Sequence, residues 1–599
     1  MLFNFNNLPE NLKNGVAAFE EYGFVESDKS GMVLKAIYGS EVIVEKSAEL
    51  CVISYDTIPH FHMALLRAMH MENGRLKITP CTKRLGFMLD CSRNAVMKVS
   101  ELKRLICLLA LLGYTYLELY TEDTYELPDE PYFGYQRGRY TKEELREVID
   151  FAKIFGIEVV PCIQTLAHLK TIAKWKHYNE HMDIADILLV GDERTDALIR
   201  KMLSYCKEVF DTDRIHIGMD EAFYLGRGKY TDTYGYQDKN EIYLKHLKHV
   251  FAMCEELGLK PEFWADGLYN TNLTTKEIQS VFNGNQTPIY WEYANTEKEM
   301  YVKRFRQLQE YAGKVSYAGG LWKWTGFAPL NGFTDKVMNV AFEAAAECGV
   351  EDILLAAWGD NGAECSVYAM LPSMYHAANV IYPINVEADR ILMALTGYRD
   401  AEWRLCDRLN QKEPDKDGIC NRIKHLLYND FLIGLLDANV SEEDEAYYED
   451  LGIAFAKMSE KDSPFAYLFQ SYEAACKVLK RKVTYGKRLH KAYHEKDMEM
   501  LRKLKKELFD IKADLQEFYQ SYRTQWTKEN KGFGFEVIDA RIGALINRTE
   551  TVAYVLEEYI EGRIETIYEL EDERLDFFYG EPQQVFYNDW ATTYTVNII

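Results

Sequence analysis

Between residues 84 and 360 the chain alternates about eight times between a short apolar run and an amphipathic helical stretch. No other feature constrains its fold as strongly, because the period switches from strand to helix and back at nearly regular intervals. The strand-like runs are "RLGFMLD" (84–90), "TYLELYTE" (115–122), "IEVVPCIQ" (157–164) and "RIHIGMD" (214–220). They continue with "LKPEFWAD" (259–266), "PIYWEY" (288–293), "KVSYAGG" (314–320) and "DILLAAWGD" (352–360). Helical periodicity fills the gaps, as in "VSELKRLICLLALLG", "TKEELREVIDFAKIFG" and "EIYLKHLKHVFAMCEELG", and several of these stretches stop at Gly. Eight such units predict an α/β fold, a (β/α)8 TIM barrel. An open doubly wound sheet would carry a Gly-rich phosphate turn after its first strand, and none is present.

The 599 residues exceed one ordinary core, so flanking domains are expected. Residues 1–78 mix strand-like runs ("GMVLKAIYG", "EVIVEKS", "LCVISYD") with one apolar helix around "FHMALLRAMHM", which predicts a small α+β domain. The barrel occupies 79–392. From 393 to 599 the strand signal vanishes and long helices with apolar stripes take over, as in "LRKLKKELFDIKADLQEFYQSYRTQW" and "ARIGALINRTETVAYVLEEYIEG". Breaks fall near "QKEPDKDG" and "TKENKGFG", and the closing "QQVFYNDWATTYTVNII" alternates in the manner of a strand or hairpin. The helical stripes suit packing on the barrel by default, or the seam of a homodimer.

A net charge of −24 opposes binding to nucleic acid or to an anionic membrane surface. No apolar stretch is long enough to span a bilayer, and "MLFNFNNLPENLKNG" has no secretory pattern. The 12 Cys lie in apolar segments without a CxxC pair, as expected of reduced thiols in a cytoplasmic protein. No HExxH or 2-His-carboxylate spacing points to a metal, no GxSxG elbow points to a nucleophilic serine, and no cofactor is expected.

Barrel enzymes build their sites at the C-terminal ends of the strands. Strand one is flanked by Arg84 and leads to Asp90 and Arg93; strand two ends in Glu122 and Asp123, and strand three in Gln164, then His168. Strand four ends in the adjacent acids Asp220 and Glu221, strand five in Trp264 and Asp266, strand six in Trp291 and Glu292. Trp322 and Trp324 follow strand seven, and Trp358 and Asp360 end strand eight. Singly, each has an ordinary explanation: an Asp-Glu pair at a helix start, a core Trp, a capping Asp, a buried His. Together on one barrel face they describe a carbohydrate pocket, with aromatic faces against sugar C–H surfaces and charged groups on hydroxyls.

"RIHIGMDEA" resembles the strand-four signature H-x-G-G-D-E of the family 20 glycoside hydrolases, the β-N-acetylhexosaminidases. "RLGFMLDCSR" resembles that family's R-G-x-x-x-D-x-x-R, "VVPCIQTLAHL" its P-E-x-D-x-x-G-H, and "AAWGDNGAE" its strand-eight Trp-x-acid element. The resemblance covers roughly residues 1–390. It implies exo-acting release of terminal GlcNAc or GalNAc from a glycan by substrate-assisted, retaining catalysis. Asp220 would then orient the 2-acetamido group as it attacks C1, and Glu221 would protonate the leaving oxygen and later activate water. It further implies that Arg84 holds the 3- and 4-hydroxyls, and that Asp360, beside Trp358, holds the 4- and 6-hydroxyls. Trp264 and Trp322 or Trp324 would wall the ring, Glu122 or Asp123 would reach the pocket, and His168 would support the acid pair.

The sequence departs from the family pattern at three places. Met219 stands for the second Gly, Cys162 and Gln164 stand where two acids are usual, and only Tyr317 lies near the expected acetamide-gripping Tyr, with Trp322 or Trp324 as substitutes. Two other readings remain open: a retaining β-glycosidase using Glu292 as nucleophile with Glu221, and an inactive sugar-binding barrel. The intact Asp220–Glu221 pair argues against the second.

Overall fold

The structure is a computed structural model that describes residues 2–269, 271–383, 387–413, 419–580 and 589–598. Near the N-terminus five strands, Phe3–Asn4, Met32–Tyr38, Val42–Lys46, Leu50–Tyr55 and Gly74–Ile78, form a mixed sheet in the spatial order first, second, fourth, third, fifth. Helix Ile58–His70 lies against this sheet and against the first barrel helix, Val99–Leu112. Each buries a broad apolar face, Phe61, Met63, Leu65 and Leu66 on the first and Leu105, Ile106, Leu108 and Leu109 on the second, which holds the two domains' helices out of water.

The barrel closes. Its eight parallel strands are Arg84–Asp90, Tyr116–Tyr120, Glu158–Cys162, Arg214–His216, Lys260–Trp264, Thr287–Trp291, Ser316–Gly320 and Asp352–Ala357. Strand eight pairs with strand one from Asp352 with Arg84 to Ala357 with Leu89, which completes the ring. Caps and stops set the helices between them: Thr141 and Glu144 make a reciprocal capping box on Lys142–Ile154, and left-handed Gly113, Gly313 and Gly349 end three others.

The N-terminal rim of the barrel holds a buried charge network. Arg214 donates to Glu262 at 2.8 and 3.0 Å, to Glu158 at 2.9 Å and to Asp352 at 3.4 Å. Arg84 belongs here, donating to Asp352 at 2.6 and 3.1 Å. The expectation that Arg84 grips sugar hydroxyls is therefore corrected. It begins strand one, and six extended residues, roughly 20 Å, separate it from Asp90 at the other rim.

After the barrel the described chain is helical, dominated by Met498–Glu529 and Phe535–Ile560, which pack on each other. The break expected in 527–534 is the turn between them. Of the break expected in 411–418, residues 414–418 lie outside the described residues, as do 583–588 and 599 of the alternating tail. The described part of that tail is corrected: Ala591–Tyr594 is a single helical turn, not a strand. Trp590 there packs on Tyr428 and Tyr594, so an aromatic contact outweighs the local β-propensity. No described helix is long and apolar enough to cross a membrane, and all cysteines except Cys81 and Cys348 are buried.

Candidate active site

At the C-terminal rim a cavity of about 420 Å³ opens, at the small end of the range for small-molecule sites. Its lining is Arg93, His168, Asp220, Glu221, Trp264, Trp291, Glu292, Tyr293, Ala294, Trp322, Trp324, Trp358 and Asp360. Strand four delivers the two acids through an irregular exit. Regular pairing stops at His216, and Gly218, Met219 and Glu221 take φ of 74°, 84° and 54°. A Cβ on Gly218 would lie 2.0 Å from Gln164 Oε1, so the close approach of strands three and four requires glycine. The exit turns Asp220 inward, where it is buried, while Glu221 keeps a side chain 41% exposed.

The surroundings divide the labour between the two acids. Asp220 accepts a hydrogen bond from Gln164 Nε2 at 2.8 Å and lies 3.1 Å from His168 Nε2, an ion-pair contact rather than an aligned hydrogen bond. Burial alone would raise the Asp220 pKa, but the His168 charge and these contacts hold it below the usual carboxylate value. Burial pulls the other way on His168, and the Asp220 charge carries it to about 9. Glu221 is shifted upward, first by burial, with the Asp220 charge adding to the effect and His168, 3.6 Å away, opposing it. The result is an ionised Asp220 beside a carboxyl inclined to keep its proton, the pattern of paired acid–base sites.

Asp266, two residues past the end of strand five, anchors the pair. Its Oδ2 accepts the Glu221 backbone N–H at 3.0 Å and its Oδ1 accepts the Trp291 indole N–H at 3.3 Å. Burial, then the Asp220 charge, pushes its carboxyl up to about 7.

The opposite wall centres on Arg93, which lies 3.1 Å from Asp90, 3.6 Å from Glu122 and 3.9 Å from Asp360, with its guanidinium 4.8 Å above the Tyr120 ring and 5.0 Å from the Trp358 ring. Asp90 also accepts the Gly359 N–H at 2.9 Å, which ties strand one to the strand-eight loop. Of the two acids after strand two, Glu122 joins this network, accepting from Tyr120 at 3.1 Å. Asp123 turns away and accepts from Arg137. Among the aromatics, Trp322 and Trp324 stack at 4.2 Å, Trp291 stacks on Tyr293 at 5.4 Å, and Trp264 and Trp358 lie 5.8 Å apart.

Tyr317 is corrected: it points out of the barrel, packs against Tyr301, Phe305 and Phe342, and donates to the Glu292 carbonyl at 3.1 Å. Tyr293 occupies the pocket instead, its hydroxyl accepting the Trp358 indole N–H at 3.0 Å. Sequence reasoning passed over Tyr293 and gave Arg93 no role. Both had a signal: Tyr293 follows Trp291 by two, the same-face spacing of an extended chain, and Asp90-x-x-Arg93 matches the family motif once Gly86 and Asp90 set its register, with Leu85 at the first Arg position.

One grouping of metal-ligand elements exists among the described residues, Glu118, Cys162 and His216, with ligand atoms within 4.8 Å inside the barrel. It does not fit a metal. The Gly218 N–H donates to His216 Nδ1 at 3.1 Å, which leaves the ring proton on Nε2, so neither ring nitrogen offers a free lone pair to an ion.

A family model described as the glycosyl hydrolase family 20 catalytic domain matches residues 84–304, and one described as the glycoside hydrolase 20C C-terminal domain matches 402–587. Hexosaminidase D of Bos taurus is 24% identical over 257 residues, 39% of this chain and 69% of that protein. Hexosaminidase D of Homo sapiens is 26% identical over 218 residues, 34% of this chain; the match spans 43% of the human protein, less than half its length. Among solved structures, a family 20 exo-β-N-acetylglucosaminidase from Vibrio harveyi, in complex with N-acetylglucosamine, superposes with a TM-score of 0.51 at 17% identity. The superposition covers 68% of this chain and 73% of that one, a likeness of fold.

Proposed function

Since the chain belongs to glycoside hydrolase family 20, we propose that it is an exo-acting β-N-acetylhexosaminidase that releases terminal, non-reducing GlcNAc or GalNAc with retention of configuration. The observation that carries this reading is the division between the acids: Asp220 held ionised by Gln164 and His168, and Glu221 next to it shifted toward its protonated form.

The Asp220 carboxylate receives the acetamide N–H and stabilises the positive charge that develops as the acetamide oxygen attacks C1. Glu221 gives its proton to the glycosidic oxygen, then takes one from the water that opens the oxazolinium ring. Both acids act on one sugar at adjacent atoms, so sequence neighbours at one strand end suffice. The Tyr293 oxygen already accepts from Trp358, which leaves its own proton to donate to the acetamide oxygen. Trp264, whose buried indole N–H has no partner among the described residues, lines the same wall. Arg93 faces the hydroxyls of the ring in the role first expected of Arg84, and Asp360 takes the 4- and 6-hydroxyls. A net charge of −24 and mostly buried thiols favour a cytoplasmic place of action.

An enzyme nucleophile is the competing mechanism, and Glu292 lines the cavity. Its Oε1, however, accepts the backbone N–H groups of Ala294 and Asn295 at 2.9 and 3.2 Å, which commits it to shaping its own loop. The test is hydrolysis of 4-nitrophenyl β-glycosides of GlcNAc, GalNAc, glucose and galactose. Cleavage confined to the N-acetyl sugars is expected, with Glu221→Gln lowering kcat by about 10²–10⁴. Comparable cleavage of the glucoside or galactoside would mean that the acetamide is not the nucleophile.

A further inference from the structure

The peptide unit between Trp358 and Gly359 stands past the end of the sheet. Strand eight pairs with strand one only as far as Ala357, opposite Leu89, and with strand seven only as far as Ala356, opposite Gly320. Trp358 and Asp360 both line the catalytic cavity from this unpaired stretch, and three left-handed residues follow at Asn361, Gly362 and Ala363. The Asp360 carboxylate has Arg93 3.9 Å away, beyond hydrogen-bond reach, so its backbone has to place it.

Two buried side chains of opposite charge close on that peptide unit. Its N–H, on Gly359, donates to Asp90 Oδ2 at 2.9 Å, and its carbonyl, on Trp358, accepts from Lys323 Nζ at 3.1 Å. Each charge meets the end of the peptide dipole that it stabilises, and such hydrogen bonds are stronger than neutral ones. Lys323 is 5% exposed, a depth at which a lysine needs partners for its charge. It sits between Trp322 and Trp324, whose rings stack on the cavity wall, yet it is not itself among the residues that line the cavity. Behind it a small cavity of about 30 Å³, lined by Asp90, Lys323, Gln525 and Glu529 among others, reaches the last turn of helix Met498–Glu529. Glu529 is fixed there by Ser366 and Tyr467, which donate to its Oε1 at 2.7 and 2.8 Å. Burial pushes its carboxyl up to about 7, with these two hydrogen bonds and the Lys323 charge opposing. The helical domain thus places an acid across this cavity from the lysine.

We propose that Lys323 is a positioning residue for recognition of the sugar: by holding the Trp358 carbonyl against the Asp90 clamp, it fixes where Asp360 presents its carboxylate to the hydroxyls. Lys323 touches no substrate. This rests on the assignment of Asp360 to the 4- and 6-hydroxyls.

The experiment is a double-mutant cycle of Lys323→Met with Asp360→Ala, read by steady-state kinetics on the 4-nitrophenyl β-glycoside of GlcNAc. Lys323→Met keeps the apolar stem and removes the ammonium. It should lower kcat/KM about tenfold, mostly through KM, because a displaced Asp360 holds the sugar less well before and during the reaction. In the Asp360→Ala background the same change should cost less than about twofold. Lys323→Gln, whose amide stops short of the ammonium position, should show the same coupling and carries the test if the methionine variant folds poorly. An equal loss in both backgrounds, or none in either, would overturn the inference while the catalytic reading stands. If Asp360→Ala alone leaves kcat/KM at the wild-type value, Asp360 does not hold the sugar, and the inference falls with that assignment.

Discussion

His168 is the residue on which the acid pair turns. It sits in a left-handed conformation at φ 59°, uncommon for a non-glycine residue and typical of positions held by their surroundings. Its pKa is raised from 6.5 to about 9, so its contribution to stability is fully present below pH 6.5 and is lost as pH rises through 9. His168→Gln should therefore lower Tm most between about pH 5 and 6.5, and the gap to wild type should close above pH 9; melting curves from pH 5 to 10 would check it, and a constant gap would count against the ion pair. Gln164 supplies the other support. Where two acids are usual for the family, this neutral amide donates to Asp220, which favours the ionised form. Gln164→Glu replaces that donor with a like charge and should move the acidic limb of the kcat/KM profile upward by about one pH unit. An unmoved limb would show that Gln164 does not govern Asp220.

Strand four shows how an element places these residues. Its regular pairing covers only Arg214–His216, four residues short of the run expected from alternation. Ile217 and Gly218 still share backbone bonds with strand five, through Glu262 and Trp264, while the chain turns through left-handed residues. Periodicity reports where apolar side chains point, and it cannot register a strand that stays in the ladder while its backbone twists. Gly218→Ala tests this element: the added methyl meets Gln164 Oε1 at 2.0 Å and the Ile163 carbonyl at 2.9 Å, at a φ that disfavours it. Urea unfolding should show a loss of at least about 1 kcal/mol, together with reduced activity from displacement of Gln164. Strand one carries the complementary lesson. Arg84 and Arg93 flank one strand and were both visible, but which arginine reaches the pocket depended on which rim of the barrel each occupies.

Across the whole molecule, the helical domain meets the catalytic rim directly. Arg541, on helix Phe535–Ile560, donates to the Asn361 carbonyl at 2.7 Å and to buried Glu364 at 2.8 Å, and Glu364 also pairs with Lys424 at 3.0 Å. The loop they grip carries Trp358 and Asp360 and runs through three successive positive φ values at Asn361, Gly362 and Ala363. A Cβ on Gly534, in the turn before the same helix, would lie 2.4 Å from the Asn94 carbonyl in the strand-one loop. The C-terminal helices thus brace the loops that hold Arg93 and Asp360. Arg541→Ala should destabilise the protein by roughly 3 kcal/mol, because it leaves Glu364 buried with one cation fewer. It should also raise KM for the N-acetyl substrates, whereas Arg541→Lys should recover part of both losses. Thermal melts and steady-state kinetics on the same preparations would separate the two effects, and unchanged KM in Arg541→Ala would limit the helical domain to a stabilising role.

The eight-fold βα alternation, the helical C-terminal half and the set of acids and tryptophans at strand ends were all legible in the chain, because each depends on local period or on position within a strand. Several assignments were not: Arg93 over Arg84, Glu122 over Asp123, Tyr293 over Tyr317 and the bracing by Arg541. These depend on which rim of a closed ring, or which face of a strand, a side chain occupies, and on contacts between residues as distant in sequence as Asp90 and Gly359, 269 positions apart. Such pairings exist only after the barrel closes and the helical domain docks, so no local pattern carries them.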